Sequence, residues 1–262
     1  MRMGNISRSS YFVTVVSAML GGACVSAVPP AGSSGTPSRS SASGTVDDAG
    51  TIVGGTLIAQ LLNLTKTCAG SAIIPNSHAY LLDNGTATSI CALTGAIYFT
   101  ADMDIDCDGI MTTHCPGTGA DKDCCWQNQT SFHGPNSAYD TENPPLKSLA
   151  SENTPYVVIP GDVVYPGLDQ RNGGNIVAVI YNNQLEFAVF GDQGPNNVIG
   201  EASVRTANGL GIPASPASGG IGGGVTYIAF VGTGSQPSDM ENLTEIQTLG
   251  AKLVQRLIAN NP

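Results

Sequence analysis

The chain has 262 residues, with 20 Asp and Glu against 10 Lys and Arg, for a net charge of −10. Such a chain repels nucleic acid and anionic membranes, which excludes both as partners, and a cleft of that sign attracts cations. Acidity also serves solubility alone, so it permits a cationic substrate without identifying one.

The first 27 residues read as an address. Arg2 and Arg8 form a basic start, residues 11–25 are mainly apolar (Phe12, Val13, Val15, Val16, Met19, Leu20), and Val25-Ser26-Ala27 supplies small residues for cleavage. This pattern predicts a secretory signal peptide over residues 1–27. The apolar run is too short for a membrane anchor, and no later segment is apolar enough to span. After Ala27 the balance is eight Lys and Arg against 20 acids, a net charge of −12. Residues 28–50, rich in Pro, Ser, Gly, Ala and Thr, predict a flexible linker or pro-segment. Residues 51–262 are enough for one domain with a sizeable core.

Cys68, Cys91, Cys107, Cys115, Cys124 and Cys125 form an even set beyond the signal. In an exported chain this predicts three disulfides, of open connectivity, with the adjacent Cys124 and Cys125 bonding different partners. The absence of CxxC pairs and of His at ligand spacing argues against zinc. Asn63, Asn84, Asn128 and Asn242 each begin a glycosylation sequon, compatible with a secreted glycoprotein.

Along the domain, a short helix is predicted over 56–64, then β-prone runs at 96–100 and 156–159. Residues 176–181 and 184–190 are two more β-rich runs, joined by Asn182-Asn183, which tolerates positive φ, so a tight hairpin is expected. A Gly-rich loop at 219–224, lacking the Lys-Ser/Thr of a phosphate-binding loop, precedes a strand at 225–231. Residues 240–260 carry Leu243, Ile246, Leu249, Leu253 and Leu257 at helical spacing, with Asp239 as expected N-cap.

Two acidic constellations could carry chemistry. In the first, Asp102, Asp104, Asp106 and Asp108 alternate with other residues, so an extended chain sets several carboxylates on one face. Asp104, Asp106, Asp108 and Gly109 match the opening of an EF-hand loop, but its closing Glu falls on Cys115 and neither flank reads as helical. A face for substrate ammonium groups is the better reading, against a solvated acidic loop pinned by Cys107 and Cys115. In the second, a strand delivers Asp192 into a Gly/Pro turn and the chain returns with Glu201 among small residues. Such a pair suits glycoside hydrolysis, which needs one carboxyl to protonate the leaving oxygen and another to activate water. His78, His114 and His133 are scattered and no Gly-x-Ser-x-Gly occurs, which disfavours a serine hydrolase.

The segments Phe99-Thr100-Ala101-Asp102-Met103-Asp104-Ile105-Asp106-Cys107-Asp108-Gly109, Tyr156-Val157-Val158-Ile159-Pro160, Val189-Phe190-Gly191-Asp192-Gln193-Gly194-Pro195 and Ile199-Gly200-Glu201-Ala202-Ser203 resemble the fungal chitosanases of glycoside hydrolase family 75. The likeness runs in order from about Cys68 to Val231. It implies endo-hydrolysis of β-1,4-linked glucosamine in chitosan, by inversion, with Asp192 and Glu201 as the essential pair and no cofactor or metal. Glu201 is assigned as acid and Asp192 as base, though the residues fit either direction. Asp102, Asp104 and Asp106 become candidates for gripping the ammonium groups of this polycation. The fold expected is all-β with a few helices: a small closed β-barrel of the double-psi type, long disulfide-bound loops and a C-terminal helix. A monomer is expected. The rivals are a non-catalytic carbohydrate-binding or cell-wall-loosening protein on the same barrel and a calcium-dependent secreted structural protein, which Asp104 to Gly109 would support.

Overall fold

A computed structural model describes residues 55–68, 74, 79–82, 85–110, 112, 115, 130–132 and 148–262. The expected signal (1–27), the linker (28–50), His78, His114, His133, Asn84, Asn128, Cys124 and Cys125 lie outside the described residues.

The chain opens with helix α1 (Gly55–Leu64), whose Ile58 and Leu61 are buried. Two short strands, β1 (Tyr80–Leu81) and β2 (Ala87–Thr88), pair with each other. The main sheet follows. β3 (Cys91–Leu93) turns at Gly95 (φ +93°) into the long β4 (Ala96–Asp106). β5 (Tyr156–Pro160), β6 (Ile176–Tyr181), β7 (Gln184–Gly194) and β8 (Glu201–Ser203) come next. Helix α2 (Val204–Gly209), β9 (Ile221–Phe230) and helix α3 (Leu243–Asn260) complete the fold.

The spatial order β4-β8-β5-β7-β6-β9 returns to β4, so six strands close into the expected barrel. Pairs β4–β8 and β5–β7 are parallel, and the other ring pairings are antiparallel. Alternation along the strands supplies two apolar faces. Odd-numbered β4 residues such as Ile97, Phe99 and Met103 fill the barrel with Val157, Val177, Phe190 and Ala202, and Phe99 stacks on Tyr227 at 4.8 Å. Tyr98, Ile176, Ala178, Phe187 and Phe230 face outward, where Ile58 and Leu61 of α1 and Ile246, Val254 and Leu257 of α3 cover them.

The hairpin forms as expected, with Asn182 (φ +46°) and Asn183 (φ +58°) in the left-handed region that a tight two-residue turn demands. The last helix starts later than the apolar spacing suggests. Its N-cap is Asn242, whose side chain accepts from the Glu245 amide at 3.1 Å, and not Asp239, which caps a turn upstream by accepting from the Glu241 amide at 2.9 Å. The sequence places two good caps three residues apart, and spacing alone does not choose between them. Gly250 lies mid-helix where a Cβ would run into the Phe187 ring, which accounts for a residue otherwise unfavourable there.

Two disulfides, Cys68–Cys91 and Cys107–Cys115, have Cα separations of 5.7 and 5.2 Å. The first ties the chain after α1 to β3, and the second anchors the chain leaving β4. The third expected disulfide involves Cys124 and Cys125, which lie outside the described residues. Among the described residues no helix is long and apolar enough to cross a membrane.

Candidate active site

Register assembles the site. Glu201, first residue of β8, lies opposite Asp104 of β4 on one side and Val158 of β5 on the other. Val158 is also opposite Asp192 of β7. Residues opposite one another across a sheet share a face, so Asp104, Glu201, Val158 and Asp192 form one row across four strands.

Asp192 reaches that row through a β-bulge. Val157 pairs with Phe190, but Val158 pairs with Asp192, so Gly191 is the extra residue. Phe190 points into the barrel, and plain alternation would send Asp192 inward as well. The inserted residue turns it to the outer face. Gly191 suits the position because a Cβ there would lie 2.6 Å from Tyr156 Cβ and 2.8 Å from Leu149 Cδ1.

Backbone donors fix the Asp192 carboxylate. Its Oδ1 accepts from the amides of Ser131 and Gln193, both at 2.7 Å. Gln193 in turn donates through Nε2 to Gln170 Oε1 at 2.6 Å, which ties the end of β7 to the loop between β5 and β6. Burial pushes the Asp192 carboxyl above the ordinary range, and the Ser131 and Gln193 donors partly offset this.

Glu201 is held from both ends. Before it, Gly200 (φ +118°) accepts from the Asp104 amide at 2.7 Å, and a Cβ there would collide with the Asp102 carboxylate. Beyond it, Ser203 accepts from the Tyr156 amide at 3.0 Å and donates to the Thr154 carbonyl at 2.9 Å while capping α2. Gly194 leaves space beside the acid, since a Cβ there would approach Glu201 Oε2 to 3.4 Å.

The alternating aspartates share a face as expected, but their environments differ. Asp104 is half-buried, as is Glu201, whereas Asp102 (2% exposed) and Asp106 (4%) lie behind the surface. Asp106 and Asp108 sit on a strand and just after it, with Asp104 two residues before, so the EF-hand spacing does not correspond to a helix-flanked loop. Nor is this a solvated loop, although Cys107 and Cys115 do bond: Asp108 is only 7% exposed. Asp106 Oδ1 accepts from the Asp108 amide at 2.7 Å, and one carboxylate oxygen from each of Asp106, Asp108 and Asp192 lies within 4.8 Å of the others.

Nothing in the sequence marks Ser131, Gln193 or Val158 for a part in this site. A lone Ser in a loop and an apolar residue in a strand carry no chemical signature, and their part here follows from register and one backbone amide.

The arrangement offers two carboxyl groups either side of one strand, one buried and one half-open, which is the equipment for glycosidic hydrolysis without a cofactor. An endo-chitosanase C of Aspergillus oryzae is 30% identical over 216 residues, 75% of this chain and 51% of its own. An endo-chitosanase of Aspergillus fumigatus is 28% identical over 197 residues, covering 67% and 79%, and one of Aspergillus oryzae is 29% identical over 218 residues, covering 70% and 82%. The chain thus spans about half the length of the first relative and about four-fifths of the other two. The model of the fungal chitosanases of glycosyl hydrolase group 75 matches residues 103–256, a stretch that holds Asp104, Asp106, Val158, Asp192 and Glu201. The chain belongs to this family of glycoside hydrolases.

Proposed function

We propose that the chain is a secreted endo-chitosanase that cuts β-1,4 bonds between glucosamine units by inversion, with Asp192 and Glu201 as the working pair. The observation that carries this reading is their shared partner: both lie opposite Val158, one strand to either side, on one face. Two strand spacings separate their Cα atoms by roughly 9.5 Å. That suits the separation of about 6.5–9.5 Å between carboxyl groups that leaves room for the attacking water.

Burial supports Asp192 as the acid, the reverse of the direction assigned from the sequence. A carboxyl pushed up by desolvation keeps its proton at a pH where exposed carboxylates have lost theirs. Asp192 gives that proton to the leaving glycosidic oxygen as the bond to the anomeric carbon breaks. Glu201, half-open beside Gly194, takes a proton from the water that attacks the opposite face. Asp104, half-buried and opposite Glu201, is suited to grip a 2-ammonium group of the polycation, while the buried Asp102 and Asp106 stand one remove from the sugar. Residues 1–27 act as the secretory signal, 28–50 as a linker and 51–262 as the catalytic domain, working as a monomer. The exposed sequon residues Asn63 and Asn242 are open to glycosylation.

Release of oligomers from highly deacetylated chitosan by wild type, Asp192→Asn and Glu201→Gln, with folding followed by circular dichroism, tests the reading. Cutting by wild type and loss of several orders of magnitude in both folded variants is expected. Binding of chitosan by wild type without release of oligomers would establish the non-catalytic rival instead.

A further inference from the structure

Two carboxyl groups suffice for the hydrolysis, yet the structure buries a third against them. Asp106 ends β4, two residues beyond Asp104 and opposite Ser203, so it faces the same side as the Asp104–Glu201–Val158–Asp192 row. Its side chain is closed off from solvent and oriented by the Asp108 amide, which donates to Oδ1. Its backbone is clamped too: the carbonyl accepts from the Ser151 hydroxyl at 2.5 Å, and the same hydroxyl accepts from the Val204 amide at 2.9 Å, just past β8. Asp106 stands outside the row that holds Asp192 and Glu201, opposite Ser203. What it meets, within 4.8 Å, is an oxygen of Asp192 and one of Asp108.

We propose that Asp106 is a positioning residue for this reaction, a carboxyl that shares one proton with Asp192 and so keeps Asp192 able to donate at the upper end of the working pH range. This rests on the reading of Asp192 as the acid. Two buried carboxyl groups this close do not both ionise readily, because each negative charge raises the cost of the other. The first proton is lost early and the second is retained far longer. While one proton remains on the pair, Asp192 draws on it.

The groups facing Asp106 from each neighbouring element favour retention. They are Asp108 on the chain after β4, Asp192 on β7, Glu201 on β8 and the buried Tyr156 hydroxyl on β5, which donates to the Asp108 carbonyl at 2.9 Å. Burial first, then the three carboxylates in that order, pushes Asp106 well above the ordinary range, and the Asp108 amide opposes this. After each turnover Asp192 is ionised and Glu201 protonated. Asp106 can return a proton to Asp192 and recover the one that Glu201 took from the water, so the protons balance without another reactant.

The test is the pH–rate profile of Asp106→Asn beside Asp106→Glu, on soluble chitosan oligomers, with Asp192→Asn as reference. Without a second carboxyl, Asp192 titrates alone and lower. The rate of Asp106→Asn relative to wild type should therefore fall with rising pH, about tenfold further at the alkaline end than at the acid end. Asp106→Glu, which restores a carboxyl, should move the alkaline limb back. A uniform loss at all pH values, or an unmoved limb, overturns the inference while an inactive Asp192→Asn leaves the catalytic pair standing. A fully active Asp192→Asn overturns both. If neither Asp106 variant folds, carboxyl-labelled aspartates in the wild type decide by nuclear magnetic resonance. Two that titrate together, with a proton held well above the ordinary carboxylate range, support the sharing, and aspartates that all ionise independently within that range refute it.

Discussion

Gly191 and Tyr156 stand back to back across the β5–β7 pair, so close that a single added carbon on the glycine would meet Tyr156 Cβ at 2.6 Å. This contact permits the bulge, and the bulge brings Asp192 out of the barrel interior. Gly191→Ala is expected to cost about 1–3 kcal/mol as an overpacked site and to lower the rate more than tenfold by displacing Asp192. Urea unfolding and chitosan hydrolysis on the same preparation check both effects. Full activity with lowered stability would separate the bulge from the aim of the acid.

Stability should decline as pH rises above about 4. Asp106 and Asp192 both bind protons more firmly in the folded state than in the unfolded chain, where the ordinary Asp value is about 3.9. A group raised in this way contributes stability that is fully present below the unfolded value and is lost as pH rises through the folded one. Denaturant midpoints measured from pH 3.5 upward should fall over this window, and Asp106→Asn should flatten the decline. Other carboxylates act oppositely: hydrogen bonds from Ser238 hold Glu245 low, so Glu245→Gln should not flatten this decline.

Ser203→Ala removes a hydroxyl that serves β5, β8 and α2 at once, through Tyr156, Thr154 and Thr206. The site is buried, so the orphaned donors and acceptors should cost about 1–3 kcal/mol. The rate should fall with it, since Ser203 fixes the strand that begins with Glu201. Thermal denaturation with a kcat and KM determination would expose the opposite result, a stable variant with unchanged kinetics.

Gly250→Ala runs against helix propensity. An alanine inside an exposed helix would gain about 1 kcal/mol. Here its methyl group would enter the Phe187 ring, so a lowered melting temperature is expected. Gly250→Ala combined with Phe187→Leu should recover part of the loss.

The KM for chitosan oligomers should rise with NaCl, because an acidic face holding a polycation is screened as ionic strength grows. Asp104→Asn should weaken that dependence. An unchanged salt response in the variant would remove Asp104 from the binding face.

Much of this architecture is legible in the sequence. Alternation gives the strands, the Asn182-Asn183 pair gives the hairpin, and apolar spacing gives the last helix. The motifs around Asp192 and Glu201 mark the acids, and the shared face of Asp102, Asp104 and Asp106 follows from an extended chain. Depth does not follow. Asp102 and Asp106 are closed over by elements distant in the chain, and their spacing is the same as that of the half-open Asp104. Alternation also sends Asp192 to the wrong side, because the bulge at Gly191 appears only when β5 and β7 are paired. The cap of α3 goes to Asn242 in preference to Asp239 because the helix start is set by packing on the barrel.

The row Asp104–Glu201–Val158–Asp192 joins four strands that are scattered along the chain and meet only in the closed ring. No fragment of the protein carries half a working site. Activity is therefore a reporter of completed assembly, and cutting power arrives together with barrel closure. A chain rejoined end to end through a suitable linker and reopened between Asn182 and Asn183 would preserve every member of the row. That tip is thus the natural place to divide the protein without dividing its chemistry.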